Sequence, residues 1–146
     1  MAMFSSFNIS ASGMTAQRLR SDTIMQNLAN VNTSRTSDGE PYRRKTVVFR
    51  ERESTSFSNV LMTASGLAGN GVKVTKVIED TQTPMNMVYD PAHPDADENG
   101  YVTYPNVNPV TEMTNLIDAS RAYEANITAF DASKTMALKG LEIGNS

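Results

Sequence analysis

Residues 108–144 read NPVTEMTNLIDASRAYEANITAFDASKTMALKGLEIG, and their spacing decides the fold. Met113, Leu116, Ser120, Tyr123, Ile127, Phe130, Lys134, Ala137 and Leu141 step by alternating threes and fours, a 3.5-residue repeat that predicts a long helix with one continuous seam. Asn108 suits the N-cap and Pro109 the first turn, where a missing N–H costs nothing. Gly144 is a natural stop. Off the seam lie Ile117, Ala119, Ala122, Ala125, Ala129, Ala132 and Met136, more apolar and small positions than one partner helix needs. That surplus predicts close approach by further neighbours, so the helix reads as one built into an assembly.

The same period marks the other end of the chain. Phe4, Phe7, Ala11, Met14, Arg18, Ser21, Met25 and Leu28 recur at helical spacing, predicting a helix from about Phe4 to Thr33 with two polar breaks in its stripe. A helix of about 30 residues is about 45 Å long, too long to hide inside a domain of this size. The economical arrangement is a pair of terminal helices lying side by side.

Between the helices the pattern changes. Residues 42–52 (YRRKTVVFRER) centre on β-formers, and residues 71–78 (GVKVTKVI) alternate, so each predicts a strand. Asp38-Gly39, Asn70-Gly71 and Asn99-Gly100 are tight-turn dipeptides. Residues 83–109 hold five of the six prolines and read as extended loop with short edge strands. The expected fold is α+β: N- and C-terminal helices paired as an antiparallel coiled coil around a small β-rich middle. The divisions are residues 1–34, 35–108 and 109–146.

Composition narrows the chemistry. The 146 residues contain no cysteine, which excludes thiolate metal sites, iron–sulfur clusters, cysteine nucleophiles and disulfides. His93 is the single histidine, and a formal net charge of −3 gives no pull toward nucleic acid. Ser, Thr and Asn fill 42 positions, a supply of short polar contacts for caps, turns and packed subunits. Neither the uncharged first seventeen residues nor the uncharged stretch 54–72 is continuous enough in apolar residues to read as a signal or a membrane span.

Two loop features invite a site. Asp95, Asp97, Asn99 and Gly100 match the opening of a calcium loop, D-x-D-x-N-G, but its twelfth position is Asn106 instead of glutamate. The alternative is an Asn-Gly hairpin stiffened by aspartates. His93 among carboxylates has no second histidine or catalytic partner set. Arg43, Arg44, Lys45, Arg50 and Arg52 form a basic cluster, diluted by Glu51 and Glu53. Residues 79–98 hold six acids and no lysine or arginine, so the two stretches could face each other within one subunit or between successive subunits. A solvated face is the alternative.

Two further motifs carry a resemblance. Asn27-Leu-Ala-Asn30-Val-Asn-Thr33, after Ser10-Ala-Ser-Gly-Met-Thr-Ala-Gln-Arg18, resembles the N-L-A-N-x-x-T signature of the flagellar rod and hook axial protein family. Residues 90–97 (DPAHPDAD), 100–102 (GYV), 105–113 (PNVNPVTEM) and 119–126 (ASRAYEAN) are similar to its C-type proximal-rod members. Asn106, Asn108, Pro109, Glu112, Arg121, Tyr123 and Asn126 belong to those matches.

The resemblance implies a non-enzymatic rod subunit with no cofactor, no small-molecule substrate and no nucleic-acid partner, exported by the flagellar type III apparatus. It implies contacts with further copies, other rod proteins and the adaptor protein at the rod base. A distal-rod or hook-type subunit is the close alternative. Subunit contacts are then expected at Phe7, Met14, Met25, Leu28, Met113, Leu116, Tyr123, Ile127, Phe130 and Leu141. Asn27, Asn30 and Thr33 are expected to end the first helix and fix the chain's exit.

Overall fold

The computed structural model describes residues 2–53, 61 and 69–144, with the side chains of 2–4 left aside. Most of the uncharged stretch 54–72 therefore lies outside the described residues. Helix α1 runs Ala2–Ala29, followed by strands β1 (Lys45–Glu51), β2 (Val72–Glu79), β3 (Asn86–Tyr89) and β4 (Tyr101–Tyr104), and helix α2 (Pro109–Gly144). The class is α+β, with two small antiparallel sheets between the helices, β1–β2 and β3–β4. All three glycines of the tight-turn dipeptides sit at positive φ, 82° at Gly39 and 79° at Gly71 and Gly100.

Helix α1 stops at Ala29, short of Thr33, for a local reason. The Asn30 amide donates to Gln26 O at 2.9 Å, and Thr33 N returns to Asn30 O at 3.1 Å, so the last turn closes on itself. Helix α2 starts where its sequence says. Asn108 Oδ1 accepts from Val110 N (3.0 Å) and Thr111 N (3.3 Å), and Asn108 O accepts from Glu112 N at 3.0 Å, the geometry of an N-cap.

The chain divides into two compact units. The first comprises Met1–Leu19, Val48–Lys76 and Ala119–Ser146. There α1 and α2 touch through tilted rings of Phe7 and Phe130, 4.9 Å between centroids. A Cβ on Gly13 would fall 2.5 Å from Asn126 Oδ1 and 2.9 Å from its Cγ, so the absence of a side chain lets the asparagine seat directly on α1. Ser12 Oγ donates to Ile9 O (2.7 Å) and accepts from Val72 N (3.1 Å), tying the start of β2 to the helix. The second unit comprises Arg20–Val47 and Val77–Asp118. Its buried residues include Ile24, Asn27, Tyr42, Val102, Asn106, Val107 and Glu112, a core with nearly as much polar as apolar material.

Burial along the helices departs from the apolar stripes in a regular way. On α2, Leu116, Tyr123, Phe130 and Ala137 are half-buried, but Met113, Ser120, Ile127, Lys134 and Leu141 are exposed. The buried or half-buried alternates are Glu112, Ala119, Asn126 and Ser133, each one residue earlier. On α1, Phe7, Met14, Ser21 and Leu28 are half-buried; Arg18 and Met25 are exposed, while Gln17 and Ile24 are enclosed. From Glu112 to Ser133 on α2, and at Gln17 and Ile24 on α1, every second step of the seam is thus shifted by one residue. The positions that turn inward are mostly small or polar, which a search for apolar periodicity passes over.

The β3–β4 pair keeps register from Asn86↔Tyr104 to Tyr89↔Tyr101, with the 90–100 loop at its end. Gly100 allows that loop to return: at its φ of 79°, a Cβ would stand 3.0 Å from the Tyr89 ring and 3.3 Å from Pro91. Gly100→Ala should destabilise the protein by about 1–2 kcal/mol, the cost of a side chain in a left-handed conformation. Chemical denaturation of the two chains measures the difference.

Candidate functional site

The densest polar structure in the chain is a buried hub in the second unit, built from the end of α1, the segment entering β1, the approach to α2 and the first turn of α2. Asn27 is fully buried, at 0% exposure, and all of its amide is used. Nδ2 donates to Glu112 Oε2 (2.8 Å) and to Lys45 O (2.9 Å), while Oδ1 accepts from the Tyr42 hydroxyl (3.0 Å) and Lys45 N (2.9 Å). Asn27 is therefore a cross-link between elements and not the helix terminator expected of it; Asn30 and Thr33 do that work through their mutual bond at 3.2 Å.

Glu112 is the charge at the centre, 1% exposed. Its Oε1 accepts from Arg44 Nε at 2.8 Å and lies 2.7 Å from Arg44 Nη2. Burying a carboxylate is costly unless it is paired and hydrogen-bonded, and here both oxygens are occupied. The first turn of α2 adds the positive end of a helix dipole. Arg44 also donates from Nη1 to Thr46 Oγ1 (3.0 Å). Its backbone N donates to Asn106 Oδ1 at 2.9 Å, and Asn106 Nδ2 bridges to Asp80 O (2.9 Å) and Thr83 O (3.2 Å). Asp80 N closes the circuit on Arg44 O at 2.8 Å. Burial raises the Tyr42 hydroxyl above its ordinary value, helped by the carboxylates of Glu79 and Glu112. The Asp80 carboxyl is held below its ordinary value, first by the backbone and side chain of Thr83.

The 90–101 loop spends its carboxylates on turn geometry. Asp97 Oδ1 accepts from Asn99 N (2.9 Å) and Tyr101 N (2.8 Å). Asp95 meets Arg35 Nε at 3.0 Å and Ser34 Oγ at 2.8 Å. His93 Nδ1 accepts from Asp95 N at 3.1 Å. Among the described residues no group of three or more metal-ligating side chains comes together. Of the calcium-loop alternative at Asp95, Asp97 and Asn99, both Asp95 oxygens and Asp97 Oδ1 are engaged in bonds within the protein.

The basic cluster does not act as a block. Arg44 turns to Glu112, and Lys45 meets the acidic stretch at Glu79, 3.8 Å across the sheet. Arg44, Lys45 and Arg20 line a cavity of about 170 Å³ beside Glu112. Of the motif residues, Asn27, Asn106 and Glu112 converge here, while Asn108 caps α2 beside them. Pro109 is exposed at the start of α2, Arg121 is exposed and Tyr123 half-buried further along it, and Asn126 lies against Gly13. Tyr42 escaped the sequence reading and Arg44 entered it only as one of a basic cluster, since nothing in their spacing points toward partners 15 or 68 positions away.

Removing one member should be costly because the others stay buried. Asn27→Ala leaves Glu112 Oε2, Tyr42 and both Lys45 backbone groups short of a partner, at about 1–3 kcal/mol for each group that stays dry. Glu112→Ala strands a largely enclosed guanidinium and should cost about 3–5 kcal/mol. Tyr42→Phe removes one bond and should cost about 1 kcal/mol. Because the folded Tyr42 value lies above the unfolded one, its contribution is complete below about pH 10 and fades as pH rises through the folded value. Denaturation midpoints above pH 10 should fall in the parent chain and fall less in Tyr42→Phe.

Relatives place this geometry. Residues 98–143 match the family described as flagellar basal body rod FlgEFG protein C-terminal. Over its length the chain is similar to flagellar basal-body rod protein FlgC of Bacillus subtilis, 51% identical with 99% of each chain covered. It is 47% identical to FlgC of Borreliella burgdorferi, covering 98% of each, and 44% identical to FlgC of Salmonella typhimurium, covering 99% of each. Identity of this level over nearly the whole chain is enough to conclude that the chain belongs to the FlgC family of flagellar basal-body rod proteins.

Proposed function

We propose that the chain is a structural, non-catalytic subunit of the proximal rod, and that it passes torque in flagellum-driven motility through two terminal helices paired as an antiparallel coiled coil. The observation that carries this reading is the near full-length identity to relatives named as rod proteins. Pairing is supported by contacts whose numbers rise on α1 as they fall on α2: Phe7 with Phe130 and Gly13 with Asn126 in one unit, Asn27 with Glu112 in the other.

Further copies of the chain, other rod proteins and the adaptor at the rod base are the partners of this reading. Export runs through the flagellar type III apparatus without a cleaved signal, and the assembled rod crosses the periplasm. Among the described residues no helix is long and apolar enough to cross a membrane. Subunit contacts fall to the exposed apolar side chains Met25, Met113, Ile127 and Leu141, with Phe7, Met14, Leu28, Leu116, Tyr123 and Phe130 holding the helices that present them.

Deleting the gene should abolish flagella and swimming while leaving growth unchanged; normal filaments in that strain overturn the reading. Phe130→Ala removes half of the ring pair with Phe7 and should cost about 1–3 kcal/mol for a half-buried aromatic. Expression and export of the variant should persist while completed hook–basal bodies, counted by electron microscopy, are lost.

A further inference from the structure

The β1–β2 ribbon carries a charge arrangement that its own fold does not explain. Arg52 N donates to Gly71 O at 3.0 Å, and in an antiparallel ladder such a bond joins residues directly opposite each other. That bond sets Arg52 beside Gly71, and Arg50 and Lys73 lie next to it at the same end of the ribbon. All three side chains are exposed, and among the described residues none pairs with a carboxylate. Glu51 points to the other face by the strand's alternation. Three cations gathered at one end of a ribbon repel one another, and no paired carboxylate among the described residues offsets that repulsion.

The β3–β4 hairpin has the opposite character. One face of the pair presents Met87, Tyr89 and Tyr101, with Met87 63% and Tyr89 64% exposed, while Val102 on the other face is fully buried. The two tyrosine rings meet edge to face, 5.3 Å between centroids. Asp90, Asp97 and Glu98 in the adjoining loop add negative charge, and no lysine or arginine occurs between residues 77 and 120. Exposed tyrosine faces and carboxylates together suit guanidinium and ammonium groups, through cation–π attraction and charge-assisted hydrogen bonds.

We propose that the Arg50–Arg52–Lys73 face of one copy receives the Tyr89–Tyr101 hairpin and its acidic loop from a second copy of the same chain. The proposal rests on the reading of the chain as a self-assembling rod subunit. Two different, complementary patches on each copy make a heterologous contact, and repetition of such a contact yields a ring or an open helix. The occupant is a second copy because charge complementarity is met within one sequence: the face offers three cations and the loop three carboxylates.

The absence of native cysteine makes the contact directly testable. The full chain carrying both Arg50→Cys and Glu98→Cys replaces the native gene, and mild oxidant is added to intact cells. A ladder of dimers and higher multiples is expected, because every copy holds both halves of the contact. Each single-cysteine chain should give no species beyond a dimer. A swimming double-cysteine strain without the ladder overturns the proposal.

Charge exchange gives the second readout. Glu98→Lys should lower the fraction of cells with completed hooks by about tenfold or more, as expected when like charges are forced together across an interface. Adding Arg50→Glu to that chain should restore it. A Glu98→Lys strain that swims like its parent overturns the docking while the deletion phenotype still upholds the rod function. A swimming deletion strain overturns the rod function itself.

Discussion

A carboxylate buried in the first turn of α2 constrains everything around it. Burying the Glu112 carboxylate is costly without donors on both oxygens, and the donors come from Asn27 near the end of α1 and Arg44 ahead of β1. Satisfying the carboxylate thus brings the end of one helix, the entry to the first sheet and the start of the other helix to one point. Asn106 extends the same logic to residues 80 and 83 through its amide. An apolar cluster of equal volume would hold these elements together but would tolerate sliding. Hydrogen bonds of fixed direction and length do not, and a half-satisfied network costs more than none. The hub therefore sets geometry more than it adds stability.

Sequence periodicity exposed the long helices because apolar spacing is a direct image of a buried stripe. It exposed the strands at Lys45–Glu51 and Val72–Glu79 and the three glycine turns for equally local reasons. It failed where the buried side chain is not apolar. Glu112, Asn126 and Ser133 on α2 and Ser10 and Gln17 on α1 face inward although hydrophobicity ranks them as surface. Ile127, Met113 and Met25 face outward although it ranks them as core. The hub was beyond reach for a further reason: its bonds span from 15 to 85 residues in sequence, and no local pattern encodes the partner of Asn27. Family motifs flagged Asn27, Asn106 and Glu112 as special without saying that two of them touch.

The abundance of short polar side chains has a structural use that composition alone did not assign. Thr15, Thr114, Thr128, Ser133 and Thr135 each donate to the carbonyl four residues back on their own helix, at 2.9–3.0 Å. Their hydroxyls are satisfied before any neighbour arrives, so these positions present a slim surface with little polar group to desolvate. In the 90–101 loop, one oxygen each of Asp90 and Asp97 accepts from nearby backbone N–H groups in the same local manner, while Asp95 reaches the side chains of Ser34 and Arg35. The stretch that resembled a calcium loop in one dimension is built as an aspartate-capped turn in three.

A shaft subunit needs two kinds of contact, and the chain segregates them by position. Directional bonds lie at residues 27, 42, 44, 106 and 112, where α1 ends and α2 begins. Exposed apolar side chains lie along and beyond them on α2, at Val110, Met113, Ile117, Ile127, Met136, Leu138, Leu141 and Ile143. Apolar burial gains about 25 cal/mol per Å² without preferring one orientation, so an apolar face of this kind adheres well but resists rotation poorly. Resistance to rotation has to come from groups that lose most of their energy when misaligned. Groups of that kind sit at the first turn of α2, where bonds of fixed direction hold the start of the helix to the end of α1 and to the segment ahead of β1.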